Sequence, residues 1–144
     1  MKENWIIPCN TKYFNIIEHF KTTDVVVWKN LFTIHEGDIA YIYLSAPYGE
    51  IRYRCIVIKE NVDEETLNRN SYAISKKTSN NYYSKKEKYI QLKLDREYPE
   101  GTFKRTALLN QGLGQVQIQA RTSRRLQSYI DEITKKLDCQ EEAN

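Results

Sequence analysis

Cysteine and histidine are scarce in this chain. Its 144 residues hold three cysteines and two histidines. Cys9, Cys55 and Cys139 are far apart, odd in number and form no CxxC pair, which argues against both a disulfide framework and a zinc site and fits a reducing compartment. No apolar run reaches the 18 residues of a membrane-spanning helix, and Met1–Asn10 carries no signal-peptide pattern, so the expectation is a cytoplasmic protein. Nothing resembles a P-loop or a GxGxxG fingerprint; Gly112-Leu113-Gly114 is too short to cradle a phosphate and reads as a helix stop. His19 and His35 lack a nucleophile elbow, and Glu64-Glu65 and Asp131-Glu132 sit in solvated-looking contexts. The sequence therefore offers no nucleophile–base pair, and the expectation is a binding module without cofactor or metal rather than an enzyme.

Other features are plentiful. Apolar residues make up 40% and charged residues 28%, an ordinary globular balance for one domain over 1–144. Eleven tyrosines and two tryptophans suit both cores and ligand pockets, because such rings pack and still offer a hydrogen bond. The net charge of +3 permits a polyanionic partner without demanding one.

Periodicity supplies the elements. Trp5–Cys9 reads as a buried strand, followed by a helix capped at Asn10 or Thr11 with Tyr13, Ile16, Ile17 and Phe20 on one face. Val25–Trp28 is a short β-branched run. After the Gly37-Asp38 turn, Ile39–Leu44 alternates, with Ala40, Ile42 and Leu44 opposite Ile39, Tyr41 and Tyr43; Ile51–Ile58 alternates likewise and pairs with it as a hairpin. Residues 62–88 lose periodicity and form a long basic connection. Tyr89–Leu94 is a further strand, Thr106–Gln111 a short helix ended by Gly112, and Gln115–Gln119 a last alternating strand. Thr122 or Ser123 caps a final helix with Leu126, Ile130, Ile133 and Leu137 on one stripe, and 138–144 form a polar tail. Short connections favour an α+β fold with antiparallel or mixed pairing, a closed or half-closed barrel with flanking helices.

Any single aromatic in this pattern reads as core. In combination, Trp28, Tyr43 and Tyr48 at strand ends, beside Asn10, Ser45 and Gln117, suit the sandwiching of a planar base whose edge the polar groups read. Lys76, Lys77, Lys85 and Lys86 interleave with Tyr82 and Tyr83, a composition matched to a phosphate backbone as well as to a solvated loop. Lys29 directly follows Trp28. Arg121, Arg124 and Arg125 surround the start of the last helix, where positive charge opposes the helix dipole and an anion is favoured.

Three segments in this order, Trp5-Ile6-Ile7-Pro8-Cys9-Asn10, Val26-Val27-Trp28-Lys29 and Gly37-Asp38-Ile39-Ala40-Tyr41-Ile42-Tyr43, resemble EVE domains of the PUA-like superfamily, which are similar to YTH and ASCH domains. A later Gln115-Val116-Gln117 followed by Arg124 extends the resemblance. It implies a mixed pseudo-β-barrel with a concave pocket that takes a modified base, methylated or hydroxymethylated and often flipped out, from DNA or RNA. By position, Trp28 is then a cage wall, Asn10, Tyr43 and Ser45 line the pocket, and Gln117 and Arg124 close it. Some relatives work with restriction nucleases or in defence systems, so a separate nuclease or RNA-processing protein is an expected partner. Two alternatives stay open: an RNA-binding accessory module in RNA processing or modification, and a small-molecule or nucleotide-binding enzyme.

Overall fold

A computed structural model describes residues 2–62 and 88–143. Six strands form one mixed sheet: β1 (Asn4–Cys9), β2 (Val25–Lys29), β3 (Ile39–Leu44), β4 (Glu50–Lys59), β5 (Tyr89–Glu97) and β6 (Ala120–Arg121). Their spatial order is β2-β5-β4-β3-β1-β6. β1 and β3 run parallel, and every other neighbouring pair runs antiparallel. The parallel pair requires a crossover, which α1 (Ile16–Thr22) and β2 supply. Two further helices follow, α2 (Arg105–Asn110) and α3 (Arg124–Ala143). No helix among the described residues is long and apolar enough to cross a membrane. The basic connection, with Lys76, Lys77, Lys85 and Lys86, falls on 63–87, outside the described residues.

The alternation of β3 divides the interior in two, as the sequence predicts. Ala40, Ile42 and Leu44 join Trp5, Ile7, Cys9, Phe14 and Ile16 on one face. Tyr41 and Tyr43 join Ile6, Tyr98, Phe103, Leu108, Leu126 and Ile130 on the other. α3 covers this second face with the expected stripe, Leu126 and Ile130 buried and Ile133 and Leu137 packed against them. Ser123 caps it, its Oγ accepting from Leu126 N at 3.1 Å.

Four expectations need correction. α1 starts at Ile16, capped by Asn15, whose Oδ1 accepts from Glu18 N; Asn10 instead makes a turn, its carbonyl accepting from Tyr13 N and Phe14 N. Ile51 leaves the face of Tyr53, Cys55 and Val57. Ile42 pairs with Tyr53 and Tyr43 with Ile51, so Arg52 is the extra residue of a bulge that turns Ile51 toward Tyr43. Gln115–Gln119 alternates but joins no ladder; only Ala120 and Arg121 pair, with Ile6 and Trp5. The polar tail is helical through Ala143, and its Asp138 accepts from Arg96 Nη1 at 2.6 Å.

The sheet also does not close into a barrel: β2 and β6 are its open edges. Its edges are bridged by one side chain. Gln119, 4% exposed, donates from Nε2 to the Lys29 carbonyl at 2.6 Å and accepts at Oε1 from Leu31 N at 3.1 Å. A carbonyl on residue i and an amide on i+2 are what a neighbouring strand would satisfy, and the amide group stands in for that strand. Gln119→Leu fills similar space but removes both partners, which should cost about 1–3 kcal/mol. Urea denaturation at neutral pH measures this, and a midpoint equal to wild type would show that the bridge does not matter.

Candidate functional site

The residues expected to share one pocket lie in several places. Asn10, Ser45 and Tyr48 do meet, because β1 and β3 end side by side. Cys9 pairs with Leu44, and Ser45 N donates to the Cys9 carbonyl at 3.0 Å. Asn10 is exposed and its Oδ1 accepts from Lys12 N. Tyr48 packs partly buried against the first core face, its N–H donating to the Ser45 carbonyl. The Arg52 guanidinium stands 5.8 Å from its ring centroid.

Trp28 sits toward the opposite end of the sheet, near the C-terminus of β2. Its partly buried ring meets Phe14 edge-on at 5.8 Å and 69°. Phe14 in turn contacts the His19 ring at 5.3 Å. Trp28 of β2, Phe14 of the β1–α1 connection and His19 of α1 thus form a row of rings, whose Phe14 and His19 line a hollow of about 390 Å³ with Asn15, Glu18 and Thr22, and Trp28 backs Phe14. His19 Nε2 lies 2.7 Å from the Val25 carbonyl, which only accepts, so Nε2 carries the proton and Nδ1 of the neutral ring is left as an acceptor. Cys9 is buried, and burial pushes its thiol up to about 12, offset only in part by the Ile16 N–H. Burial raises the Cys55 thiol as well.

Tyr43 does not share this site. Its ring is 6% exposed in the second core cluster, on the other face of the sheet from Trp28's packing. Burial raises its phenol, against a smaller opposing effect of Arg105. Gln117 is exposed in the segment before β6. Arg124 is exposed beside Asn4, Thr122 and Gln127 at the start of α3.

A second concavity was not foreseen. Trp5, Phe32, Thr33, Gln119, Ala120 and Arg121 line a groove of about 500 Å³. Asp38 fixes its floor. This carboxylate, 2% exposed, accepts from Trp5 Nε1 at 3.0 Å, from His35 N at 2.9 Å and from Glu3 N at 3.0 Å. The Arg121 guanidinium lies 5.2 Å from the Trp5 ring centroid, and Phe32 lies 6.4 Å away at 11° to it. The only sequence signal for Phe32 was an apolar pair, Leu31-Phe32, outside any periodic run. Asp38 was legible as a turn residue and not as an acceptor for three elements.

The sequence matches no family model and no curated protein. Solved structures do match. A serine-to-alanine variant of the ASCH protein of Zymomonas mobilis superposes with a TM-score of 0.66 at 14% identity, covering 92% of this chain and 96% of that one. The Zymomonas mobilis ASCH protein without that change gives 0.61 at 11% identity, covering 90% and 94%. A hypothetical protein of Leishmania major gives 0.64 at 13%, covering 96% and 98%. The fold is ASCH-like.

On the ASCH-like framework the expected phosphate contacts separate. Lys29 is exposed at the end of β2, one residue from Trp28. Arg121 borders the Trp5–Phe32 groove. Arg125 Nη2 donates to the Asn110 carbonyl at 2.7 Å, at the C-terminal end of α2, where a cation is favoured. Among the described residues, no group of three His, Cys, Asp or Glu side chains could hold a metal ion.

Proposed function

We propose that this ASCH-like chain is an EVE-type nucleic-acid-binding domain that takes one modified base of DNA or RNA beside Trp28. The ring row Trp28–Phe14–His19, next to a hollow of about 390 Å³, carries this reading. A purine or pyrimidine needs flat apolar contact on its face and a few polar groups on its edge. The hollow provides both: Phe14 and His19 as rings, and Asn15, Glu18 and Thr22 at the rim. Asn10, Ser45 and Tyr48 at the other end of the sheet, with Gln117 and Arg124, are secondary contacts in this reading, and Lys29, Arg121 and Arg125 join Lys76, Lys77, Lys85 and Lys86 on the backbone. Buried Tyr43 contributes packing.

The test is oligonucleotide binding followed by fluorescence anisotropy at fixed salt, with strands carrying a plain, methylated or hydroxymethylated base in RNA and in DNA. Base–aromatic stacking is worth about 1–3 kcal/mol, so Trp28→Ala should weaken binding by roughly 5- to 150-fold while Trp28→Phe retains most of it. Unchanged affinity in Trp28→Ala, in a protein that still melts cooperatively, removes the pocket assignment.

A further inference from the structure

The Trp5–Phe32–Arg121 groove has no part in that pocket, and its construction is specific. Phe32 is 46% exposed, an unusual position for a phenyl ring on a loop, and Leu31 and Ile118 beside Gln119 are exposed to 45% and 49%. The loop that carries Phe32 is nonetheless firmly held. Asn30 Oδ1 accepts from Phe32 N at 3.2 Å and from Ile34 N at 3.3 Å, and its Nδ2 donates to the Ile34 carbonyl at 2.9 Å. Gln119 holds Leu31 N from the opposite edge of the sheet. Below, Trp5 is locked by its indole hydrogen bond to Asp38. An exposed aromatic ring on a backbone held by Asn30 and Gln119, stacked at 6.4 Å on the anchored Trp5 ring, is a preorganised platform, since less ordering remains to be lost on binding.

We propose that this groove is a second stacking subsite, in which a neighbouring unpaired base of the same strand lies on the exposed face of Phe32 and its phosphate meets Arg121. The inference rests on the nucleic-acid reading above and extends it to a second nucleotide. The occupant follows from the chemistry of the walls. A flat apolar face next to a guanidinium suits a base joined to a phosphate, because every base has a π-face and the cation neutralises the backbone. The placement fits as well: Phe32 is four residues along the chain from Trp28, at most about 14 Å of extended backbone. This groove therefore lies within a few nucleotides' reach of Trp28.

Binding of a nucleoside monophosphate and of a five-nucleotide single strand bearing the same base separates the two sites. Phe32→Leu keeps the apolar volume and loses the ring; it should weaken the five-nucleotide strand about tenfold and leave the monophosphate within twofold. Phe32→Trp should match or exceed wild type, which also controls for folding. Arg121→Gln should weaken the strand and lower the slope of log affinity against log salt by about one, whereas Phe32→Leu leaves the slope unchanged. Wild-type affinity of Phe32→Leu for the strand overturns the subsite and leaves the Trp28 pocket standing, as expected if the patch instead docks a protein. Loss of strand binding in Phe32→Leu with none in Trp28→Ala supports the subsite and removes the pocket. A wild-type protein that binds neither ligand overturns both.

Discussion

Replacing Asp38 by alanine should destabilise the fold by on the order of 4 kcal/mol and loosen the Trp5 side of the molecule. Three donors converge on this buried carboxylate: the Trp5 indole, the His35 amide and the Glu3 amide. A buried donor left without its acceptor costs about 1–3 kcal/mol, and the bonds to an ionised acceptor are at the strong end. The three donors belong to β1, to the residue just before it and to the loop before β3, so one side chain staples these segments together. The turn itself depends on Gly37, at φ +92°, which brings Gly37 N to the Val57 carbonyl and lets Val57 N bond the Asp38 carbonyl. Asparagine is no remedy. Oδ1 serves one donor and Oδ2 two, so an amide nitrogen at either position faces an N–H instead of accepting from it. Urea denaturation followed by tryptophan emission checks this: both variants should unfold at lower urea, and Asp38→Ala should show a more solvated native spectrum. A loss below 1 kcal/mol in Asp38→Ala would mean that water replaces the carboxylate at low cost and that Trp5 is held by packing alone.

The alternation of β3 and the stripe of α3 were legible because each depends only on which face a residue takes. What the sequence could not supply was partners. Gln115–Gln119 alternates like a strand, yet no neighbour offers it a ladder, and β6 is the two residues beyond it. Gln119 reads as one more polar residue in that run; its role appears only when Lys29 and Leu31, roughly ninety residues earlier, are brought beside it. The Arg52 bulge is likewise invisible in Ile51–Ile58, whose alternation is regular.

The candidate site shows the same division. Trp28 stands at the end of a β-branched strand, as its setting in the sequence suggests, and Asn10, Ser45 and Tyr48 gather where β1 and β3 end. Tyr43 was misplaced because face and strand end were read separately: it lies near the end of β3, but on the face opposite Ile42. Phe14 and His19, which complete the ring row with Trp28, belong to the β1–α1 connection and to α1 itself. There the sequence suggested an earlier helix start, which would have carried Phe14 on a different part of the helix surface.

Glu50→Ala should be the most damaging change at the other end of the sheet, with a loss of about 3–5 kcal/mol. Glu50 is fully buried, with Oε2 accepting from Arg52 Nη2 at 2.9 Å and Oε1 from Gly101 N at 2.7 Å; Lys104 Nζ lies 3.7 Å away. Arg52 is itself largely buried, and its Nε has no hydrogen-bond partner among the described residues, so removing Glu50 strands a cation that these residues already satisfy incompletely. The same cluster shapes the β3–β4 turn: Arg52 faces the Tyr48 ring, and Lys104 Nζ donates to the Tyr48 carbonyl at 3.3 Å. Burial alone would raise the Glu50 carboxyl, but the bonds from Arg52 and Gly101 and the charges of Arg52 and Lys104 outweigh it, and the group titrates below its ordinary value. A carboxyl lowered in the folded state contributes stability above its unfolded pKa of about 4.3 and loses it as pH falls through the lower folded value. Glu50→Gln keeps the shape and the Gly101 bond but not the charge. Its deficit against wild type should therefore be full at pH 7 and shrink toward pH 3, as read from paired thermal melts. A deficit that stays constant across that range would assign Glu50 to packing and hydrogen bonding, with no contribution from its charge.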